Sequence, residues 1–434
     1  KLRTLGSRAF SGCTGLTQLT LGDGLTQIPA YAFSGCTGLE QVTIPGSVYS
    51  IGERAFSGCT RLEDMSLGDG VRQIGAYAFV FCTGLRHITV PPSVANLGSG
   101  AFEGCTGLTD VSLGDGVYQI GAWAFSGCTS LRSITVPASV TSIGKQAFYG
   151  AGLTRVILNE GLTRIESNAF AGNPGLGIVT IPASVNSFSL DAFGQAPFEV
   201  AEGNQTFSTS DGVLFNADRT TLIRCPESHT GDYLVPPTVT TISNGAFSGC
   251  RGLTAVTLPD GLLSIGNDAF SYCTSLAAIA IPDGIRDIRN SAFRDCSSLA
   301  SVAFGEGVER ISDRAFSGCT SLRAVVTPAA LTFIGREVFS GCTGLISASL
   351  NEGLTSIGDR AFYYCSSLRD ATIPPGVTSL GEYAFYGCNQ LVSASIPGSV
   401  TQIRRSTFSS CRSLELVSIG DGVQSIGAGA FSQC

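Results

Sequence analysis

A phenylalanine recurs every 23 residues along most of this 434-residue chain. The spacing holds without a slip from Phe10 to Phe148 and again from Phe247 to Phe431, and Phe170 and Phe193 bring the copies to eighteen. A fixed period of about 20 to 50 residues is typical of stacked-repeat architectures, in which each unit contacts its neighbours. The repeat therefore predicts a solenoid, and it directs the search for function to surfaces rather than to a catalytic pocket.

The repeat at residues 16–39 indicates how one unit folds. Its opening pattern, L-x-x-L-x-L, is that of a leucine-rich repeat, and Leu19 and Leu21 alternate around Thr20 as in a strand with one buried face. A Gly- or Pro-containing turn, a second short extended piece and the corner A-F-x-x-C follow. The corner is too short for a stable helix, so we expect a 3₁₀ or single helical turn there. The sequence thus predicts a leucine-rich-repeat solenoid of mostly short parallel β-strands, with about 18 copies of a 23-residue repeat.

The 23-residue spacing is interrupted between Phe193 and Phe247, which are 54 residues apart. We expect an N-terminal repeat array at 1–193, an elongated repeat with an inserted β-hairpin at 194–246, and a C-terminal array at 247–434, all in one continuous solenoid. The stretch GVLF-NADR-TTLIRC predicts the hairpin, because two apolar runs flank a polar turn. Tyr233, Val235 and Ile242 then return to the repeat columns. A repeat variant is favoured over a dedicated binding finger.

Charge and composition exclude some partners. The formal net charge is −7 with a pI near 5.0, whereas nucleic-acid binding requires a basic face. No apolar run approaches the roughly 18 residues that cross a bilayer, so we expect no membrane insertion by this segment. The chain begins and ends inside a repeat, and neither Lys1-Leu2-Arg3 nor the last residues look like the polar cap that solenoids need. We therefore expect a segment of a longer protein.

The repeated string AFSGCTGL, followed by a strand, then IPGSV or LGDGV and then SIG or QIG, resembles the BspA-type leucine-rich repeats, which are named for a bacterial surface antigen. The resemblance covers essentially the whole chain, and the GVLFN and LIRCP stretches are similar to the elongated units of such proteins. It implies a right-handed solenoid at the cell surface that adheres to host proteins or neighbouring cells. It also implies no catalysis and no cofactor.

Fifteen of the sixteen cysteines lie three residues after a ladder phenylalanine, and Cys225 stands apart in the hairpin. Stacked neighbours would be close enough for disulfides, but their parallel Cβ bonds are poorly oriented for bridging. Free cysteine packs as a small hydrophobe, so a buried thiol ladder is favoured. Some disulfides, or zinc bound by the thiols, remain alternatives.

Other residue types that can carry chemistry are sparse. His87 and His229 are far apart in sequence, with no evident catalytic partner, so no catalytic residue is predicted. Asn204 begins the one N-glycosylation sequon, which would lie on an exposed loop of a secreted eukaryotic protein. Acidic residues recur in the turns, where turn formation is favoured over Ca²⁺ binding: Asp23, Asp69, Asp115, Glu160, Asp260, Asp283 and Glu306.

Two sets of residues are candidate contact surfaces. The outward column of the strand is mostly Thr and Ser in the first array but turns apolar after the insertion, at Ala280, Ala303 and Val326, and the neighbouring Ala278 and Ala324 extend this apolar stretch. Contiguous exposed apolar area often marks an interface, although small residues on a flat sheet need no function. The second set comprises aromatic residues just before the Ala-Phe pair, expected to be exposed: Tyr31, Tyr77, Trp123 and Tyr383.

These patterns together favour a non-enzymatic extracellular scaffold at the cell surface, which recognises a protein or glycan through the solenoid surface. The alternative is a structural subunit that self-associates into a larger extracellular assembly or filament. An enzyme is the least favoured hypothesis, and the sequence predicts no metal site.

Overall fold

Each repeat opens with a strand that has one buried and one exposed face, as the alternating sequence predicts. In the computed structural model, which describes residues 2–434, the strand Gln41–Ile44 buries Val42 and Ile44 and exposes Gln41 and Thr43. The opening strands pair in parallel with equivalents one repeat away in groups of two or three, and in the first group Val42 faces Met65 across the ladder. Lys1, part of the expected uncapped end, lies outside the described residues.

The described chain forms two compact units, one ending at Gly212 and the other spanning Val213–Cys434. Each unit is a parallel β-solenoid with its own apolar core, which confirms the predicted fold class. The boundary falls inside the 194–246 segment, and the continuous solenoid stays a prediction.

The first unit contains a set of strands that open the repeats and a second set of two-residue strands that join one eight-stranded parallel sheet. The opening strands and the last two strands of this unit are β1 (Gln18–Thr20), β3 (Gln41–Ile44), β5 (Asp64–Leu67), β7 (His87–Val90), β9 (Asp110–Leu113), β11 (Ser133–Val136), β13 (Arg155–Leu158), β15 (Val179–Ile181), β17 (Phe198–Val200) and β18 (Phe207–Ser210). The two-residue strands are β2 (Gln27–Ile28), β4 (Ser50–Ile51), β6 (Gln73–Ile74), β8 (Asn96–Leu97), β10 (Gln119–Ile120), β12 (Ser142–Ile143), β14 (Arg164–Ile165) and β16 (Ser187–Phe188).

The second unit begins with the predicted hairpin and then repeats the same two sets. The hairpin strands are β19 (Val213–Asn216) and β20 (Thr221–Arg224), and the opening strands are β21 (Thr230–Leu234), β23 (Gly252–Thr257), β25 (Ala278–Ala280), β27 (Ser301–Ala303), β29 (Ala324–Val326), β31 (Ser347–Ser349), β33 (Asp370–Thr372), β35 (Ser393–Ile396) and β37 (Leu416–Ile419). The two-residue strands are β22 (Thr241–Ile242), β24 (Ser264–Ile265), β26 (Asp287–Ile288), β28 (Arg310–Ile311), β30 (Phe333–Ile334), β32 (Ser356–Ile357), β34 (Ser379–Leu380), β36 (Gln402–Ile403) and β38 (Ser425–Ile426).

The ladder phenylalanines form a continuous stack in each unit. Neighbouring ring centroids from Phe10 to Phe193 are 5.1 to 5.6 Å apart, and the ring planes are within 13° of parallel. In the second unit the stack from Phe247 to Phe431 has spacings of 4.8 to 5.7 Å. Burying one such ring stabilises the fold by roughly 1.5–3 kcal/mol, so the stack is a main source of core stability.

The corner around each ring is a turn rather than the expected 3₁₀ or helical turn, and residues 2–434 contain no helix. The N–H groups of Tyr31, Phe33 and Gly35 donate to carbonyls of the next coil, at 2.7 to 2.8 Å. The N–H groups of Ala32, Ser34 and Cys36 instead bond back within the corner, at 3.2 to 3.3 Å. Tyr31 and Gly35 have φ of 58° and 74°, a left-handed conformation that a helix cannot contain. Bonding between coils therefore determines the corner.

The cysteines form the favoured thiol ladder. All are unpaired in the structure, and all except Cys13 and Cys434 are buried. In most coils the thiol donates to the carbonyl of the phenylalanine one coil before, as Cys128 does to Phe102 at 3.2 Å. Where Asn173 replaces cysteine, its Nδ2 donates to the equivalent Phe148 carbonyl at 2.9 Å. In each coil that makes this bond, the buried thiol or amide therefore has a hydrogen-bond partner.

Cys225 does not stand apart, contrary to the sequence interpretation. It is fully buried, and its N–H donates to the Ala246 carbonyl at 2.7 Å, a bond that a ladder phenylalanine makes in regular coils. The Cys250 thiol lies 3.8 Å from the Cys225 carbonyl. The hairpin strand β20 ends one residue earlier, so Cys225 takes the backbone role of a ladder phenylalanine, while the Tyr233 ring packs against Phe247 with centroids 5.7 Å apart.

Replacing Phe102 with Ala should lower the free energy of unfolding by roughly 3–5 kcal/mol, because a fully buried ring between two stacked neighbours is lost. Urea unfolding followed by circular dichroism measures the change. Phe81→Ala is the control, since the Phe81 side chain is 55% exposed, and it should cost less than about 1 kcal/mol. Equal losses in the two variants would contradict a ring stack that carries the stability.

Native thiol labelling should separate the two exposed cysteines from the rest. Burial raises the pKa of Cys128 and of Cys342 to about 12, so only about one such thiol in ten thousand is ionised at pH 8. Iodoacetamide should modify Cys13 and Cys434 quickly, and the buried thiols only after denaturation, as read by peptide mass spectrometry. Native labelling of Cys128 as fast as Cys13, or bridged peptides in the unreduced protein, would refute the buried thiol ladder.

Candidate functional site

The apolar residues expected on the strand surface lie together in the second unit. Ala278 and Ala280 on β25, Ala303 on β27, and Ala324 and Val326 on β29 are all exposed. We call these five residues the apolar strand patch. Within β25 and β29, the central residue of each strand points into the core instead.

Register brings members of the patch side by side. The parallel pairing of β25 with β27 places Ala280 opposite Ala303, and the pairing of β29 with β31 places Val326 opposite Ser349. Val326 is 67% exposed, and Ile346, which precedes β31, is 40% exposed. Apolar side chains thus face solvent on successive strands where most coils of the first unit present Thr or Ser.

The corresponding surface of the first unit is charged. His87 Nε2 lies 3.3 Å from an Asp64 carboxylate oxygen on the neighbouring coil, and Arg86 lies 4.0 Å from Glu63. These pairs are exposed, and such pairs add at most about 1 kcal/mol each. The two strand surfaces therefore have different chemistry although they come from the same repeat.

A shallow groove of about 600 Å³ opens beside β9 and β11, which belong to different sheets. Asp110, Ser112, Asp115, Ser133 and Thr135 contribute to its lining. Small-molecule sites are mostly enclosed and apolar, whereas this lining is rich in carboxylates and hydroxyls. The sequence analysis did not predict it, because the gap between two neighbouring strands leaves no mark in the repeat.

The aromatic residues before the Ala-Phe pair are half-buried, so the expectation that they are exposed is wrong for Tyr31, Tyr77, Trp123 and Tyr383. Each lies against the coil beside it. The guanidinium carbon of Arg54 is 4.7 Å from the centre of the Tyr77 ring, and Trp123 Nε1 donates to Gln146 Oε1 at 2.7 Å. The reason is the corner geometry, in which left-handed backbone at this position lays the side chain along the column.

Asn204 is also buried, contrary to the expectation of an exposed sequon. Its Nδ2 donates to the carbonyls of Pro182 at 3.1 Å and Val185 at 2.8 Å, and its Oδ1 accepts from the N–H groups of Thr206 and Phe207. These four bonds fix a turn of the preceding coil. The folded chain therefore does not present the Asn204 amide for modification.

The acidic turn residues act within the turns. Glu160 accepts hydrogen bonds from the N–H groups of Ala183 and Ser184 at 2.9 Å, and the bond from Ala183 is the main cause of its lowered pKa. Asp283 accepts from the N–H of Glu306 at 2.9 Å. Within residues 2–434, no three His, Cys, Asp or Glu side chains converge as metal ligands. The turn interpretation of these carboxylates is thus supported.

The two histidines belong to different units. His87 is on the exposed strand surface of the first unit, whereas His229 of the second unit packs its ring edge-on to Tyr233, with centroids 5.3 Å apart. His229 Nε2 is buried without a hydrogen-bond partner among the described residues. A catalytic histidine is usually oriented by a hydrogen-bond partner, and no described residue forms such a bond with this nitrogen.

Comparison with known proteins agrees with the fold. The family model for the BspA-type leucine-rich repeat region (6 copies) matches residues 1–109, 97–219, 230–346 and 332–434. No curated protein matches this sequence. No helix that could cross a membrane occurs in residues 2–434.

Three solved bacterial structures are similar to this chain to different degrees. A leucine-rich repeat protein from Eubacterium ventriosum is 26% identical, with a TM-score of 0.52, over 75% of this chain and 83% of that protein. A leucine-rich repeat protein from Bacteroides ovatus is 24% identical over 95% of this chain and 86% of that one, with a TM-score of 0.42. A leucine-rich cell surface protein from Faecalibacterium prausnitzii is 25% identical over 92% and 83%, with a TM-score of 0.40. The family match spans nearly the whole sequence, and the chain therefore belongs to the BspA-type leucine-rich repeat family.

Proposed function

We propose that this chain is a non-enzymatic recognition scaffold, displayed at a cell surface, that binds a protein or glycan partner through its solenoid surface. The observation that carries the proposal is the apolar strand patch of the second unit. Membership of a repeat family named for a surface antigen supports the location.

The patch suits a protein partner in particular. Soluble proteins rarely leave contiguous apolar area exposed without a use, and removing such area from water favours association by roughly 25 cal/mol per Å². Ala303 and Ala324 lose no side-chain rotamer freedom on binding, and Val326 loses little. An apolar strand surface whose side chains have few rotamers therefore costs little side-chain entropy to cover.

Polar residues border the patch and can set its specificity. Arg323 lies before β29 and is exposed, and the serines Ser301, Ser347 and Ser349 stand beside the alanines on β27 and β31. An apolar centre with a polar border is the usual composition of a recognition interface.

Introducing charge into the patch should abolish partner binding. The double variant Ala303→Arg and Val326→Arg places two guanidinium groups where a partner would bury apolar atoms, and we expect at least a tenfold weaker Kd. Partners captured by the intact chain from a solubilised cell-surface fraction are first purified, and their Kd values are then measured by biolayer interferometry. Light scattering measures self-association in parallel.

The matched control is Thr43→Arg with Thr89→Arg, at exposed positions of the equivalent column in the first unit. This variant should bind as the parent does and should melt at the same temperature as the patch variant. Purified partners that bind the patch variant as tightly as the parent would overturn the proposal. If the parent is instead an oligomer that the patch variant dissociates, the self-assembling subunit replaces the receptor-like scaffold.

A further inference from the structure

The second residue after the ladder phenylalanine has a left-handed backbone in nearly every coil. It is glycine in most coils: Gly12, Gly35, Gly58, Gly104, Gly127, Gly150, Gly172, Gly249, Gly318, Gly341 and Gly387. Glycine adopts this conformation without steric cost, whereas for another residue it costs about 1–2 kcal/mol of conformational energy.

Phe81, Tyr272 and Tyr364 place aromatic side chains at this position, with φ of 59°, 61° and 56°. Their side chains are 55%, 40% and 45% exposed, so burial only partly offsets the strain. Strained backbone that holds an exposed ring is an observation from which a binding role can be inferred.

Tyr364 differs from the other two because further tyrosines surround it. Its ring centroid is 4.5 Å from that of Tyr363 and 5.5 Å from that of Tyr386, both edge-on, while Tyr363 and Tyr386 stack on each other at 5.2 Å. The ring also covers Gly387, where an added Cβ would lie 2.7 Å from Tyr364 Cδ1. The three rings therefore form a rigid, partly exposed cluster, which we call the tyrosine cluster.

The three phenol groups lie close to one another. The pKa of Tyr364 is raised, first by charge repulsion with Tyr363 and then with Tyr386. The Tyr364 hydroxyl is therefore protonated at neutral pH and available as a hydrogen-bond donor and acceptor.

Arginines border the tyrosine cluster. The guanidinium carbon of Arg360 is 5.8 Å from the Tyr363 ring centre and 5.4 Å from that of Tyr383, which Arg405 also approaches at 5.9 Å. Arg404 and Arg405 are exposed, and neither makes an ion pair within residues 2–434.

Some acidic side chains of the same coils already accept hydrogen bonds or form ion pairs. Asp359 Oδ1 accepts the N–H of Glu382 at 2.8 Å, and Glu337 is paired with Arg314 at 2.6 Å and Arg336 at 2.9 Å. Glu382 itself is exposed. Arg405 thus offers a cation without an ion pair beside Tyr383, whose ring lies 5.8 Å from that of Tyr386, and the adjacent residue Arg404 adds a second exposed cation.

We propose that the tyrosine cluster, with Arg404 and Arg405, is a binding site for an acidic polysaccharide. A sugar ring packs its C–H face on an aromatic ring, its hydroxyls bond to the phenols, and its carboxylate or sulfate group pairs with the guanidinium groups. Small residues, Ser340 and Gly341, occupy the positions of Tyr363 and Tyr364 in the preceding coil. This site is separate in sequence and chemistry from the apolar strand patch.

The test measures binding of the full chain to three immobilised polysaccharides: heparin, which is sulfated, alginate, which carries only uronates, and neutral dextran. We expect binding to heparin, alginate or both, and none to dextran. Comparison of the first two distinguishes sulfate from carboxylate recognition. Tyr364→Gly should weaken this binding at least tenfold, and so should Arg404→Ala with Arg405→Ala, which should also reduce its salt dependence.

Tyr364→Gly is informative because glycine is the usual residue at this position, so the fold should tolerate it and the melting temperature should stay near that of the parent. Tyr272→Gly is the matched control, which relieves the same strain outside the cluster and should bind like the parent. The proposal is overturned if the parent binds neither heparin nor alginate, or if Tyr364→Gly binds them as tightly as the parent does. It is also overturned if Tyr272→Gly loses as much affinity as Tyr364→Gly. If the parent binds no polysaccharide and Tyr364→Gly instead loses binding to a purified protein, the tyrosine cluster is a protein-docking site.

Discussion

Parallel, in-register hydrogen bonding between successive coils is the constraint on which the rest of the structure depends. It places every side chain about 5 Å from its equivalent one repeat later, as the Phe102 and Phe125 rings are at 5.3 Å. The residue type in each column must therefore pack well against a copy of itself. Inside, flat rings stack and small thiols fit, and most thiols donate to a carbonyl of the preceding coil. The interior is consequently a set of columns, and a change at one position acts mainly on two neighbours.

The same spacing restricts charge on the outside. Like charges directly opposite each other on neighbouring strands are destabilising, so a column of one sign would repel itself. In the corner column, arginine is followed by tyrosine at Arg8 and Tyr31, with 4.9 Å between guanidinium carbon and ring centre, and by glutamate at Arg314 and Glu337. Burial opposes the ionisation of Glu337, but bonds and charges from Arg314 and Arg336 outweigh it and lower its pKa. Alternation of partners along a column is thus the way this chain places charge on a repeating surface.

Sequence reasoning found what the period alone determines and missed what depends on contact between coils. The phenylalanine column, the strands, the hairpin and the exposure of Val326 follow from spacing and alternation. The left-handed corner does not, because its backbone is determined by bonds to the next coil, and with it the half-burial of Trp123 was missed. Asn204 and Cys225 were misplaced for a related reason. Both lie in the irregular segment, where shortened or lengthened coils change which column a residue enters. A signal for Tyr364 was present, since tyrosine replaces the usual glycine, but its meaning required the value of φ.

Departures from a column's rule separate into two kinds. Asn173 replaces a cysteine and yet makes the same bond to the preceding phenylalanine carbonyl, so its structural role explains it. Val326 and Tyr364 have no such explanation. Val326 exposes a branched apolar side chain where serine and threonine are usual, and Tyr364 holds a ring in strained backbone that leaves it 45% exposed. Regular coils fold without these residues, and contacts within the described chain offset their cost in solvation or strain only in part. In a molecule made of equivalent coils, a partner can be recognised only where the coils differ, and these unexplained differences are where its contacts are expected.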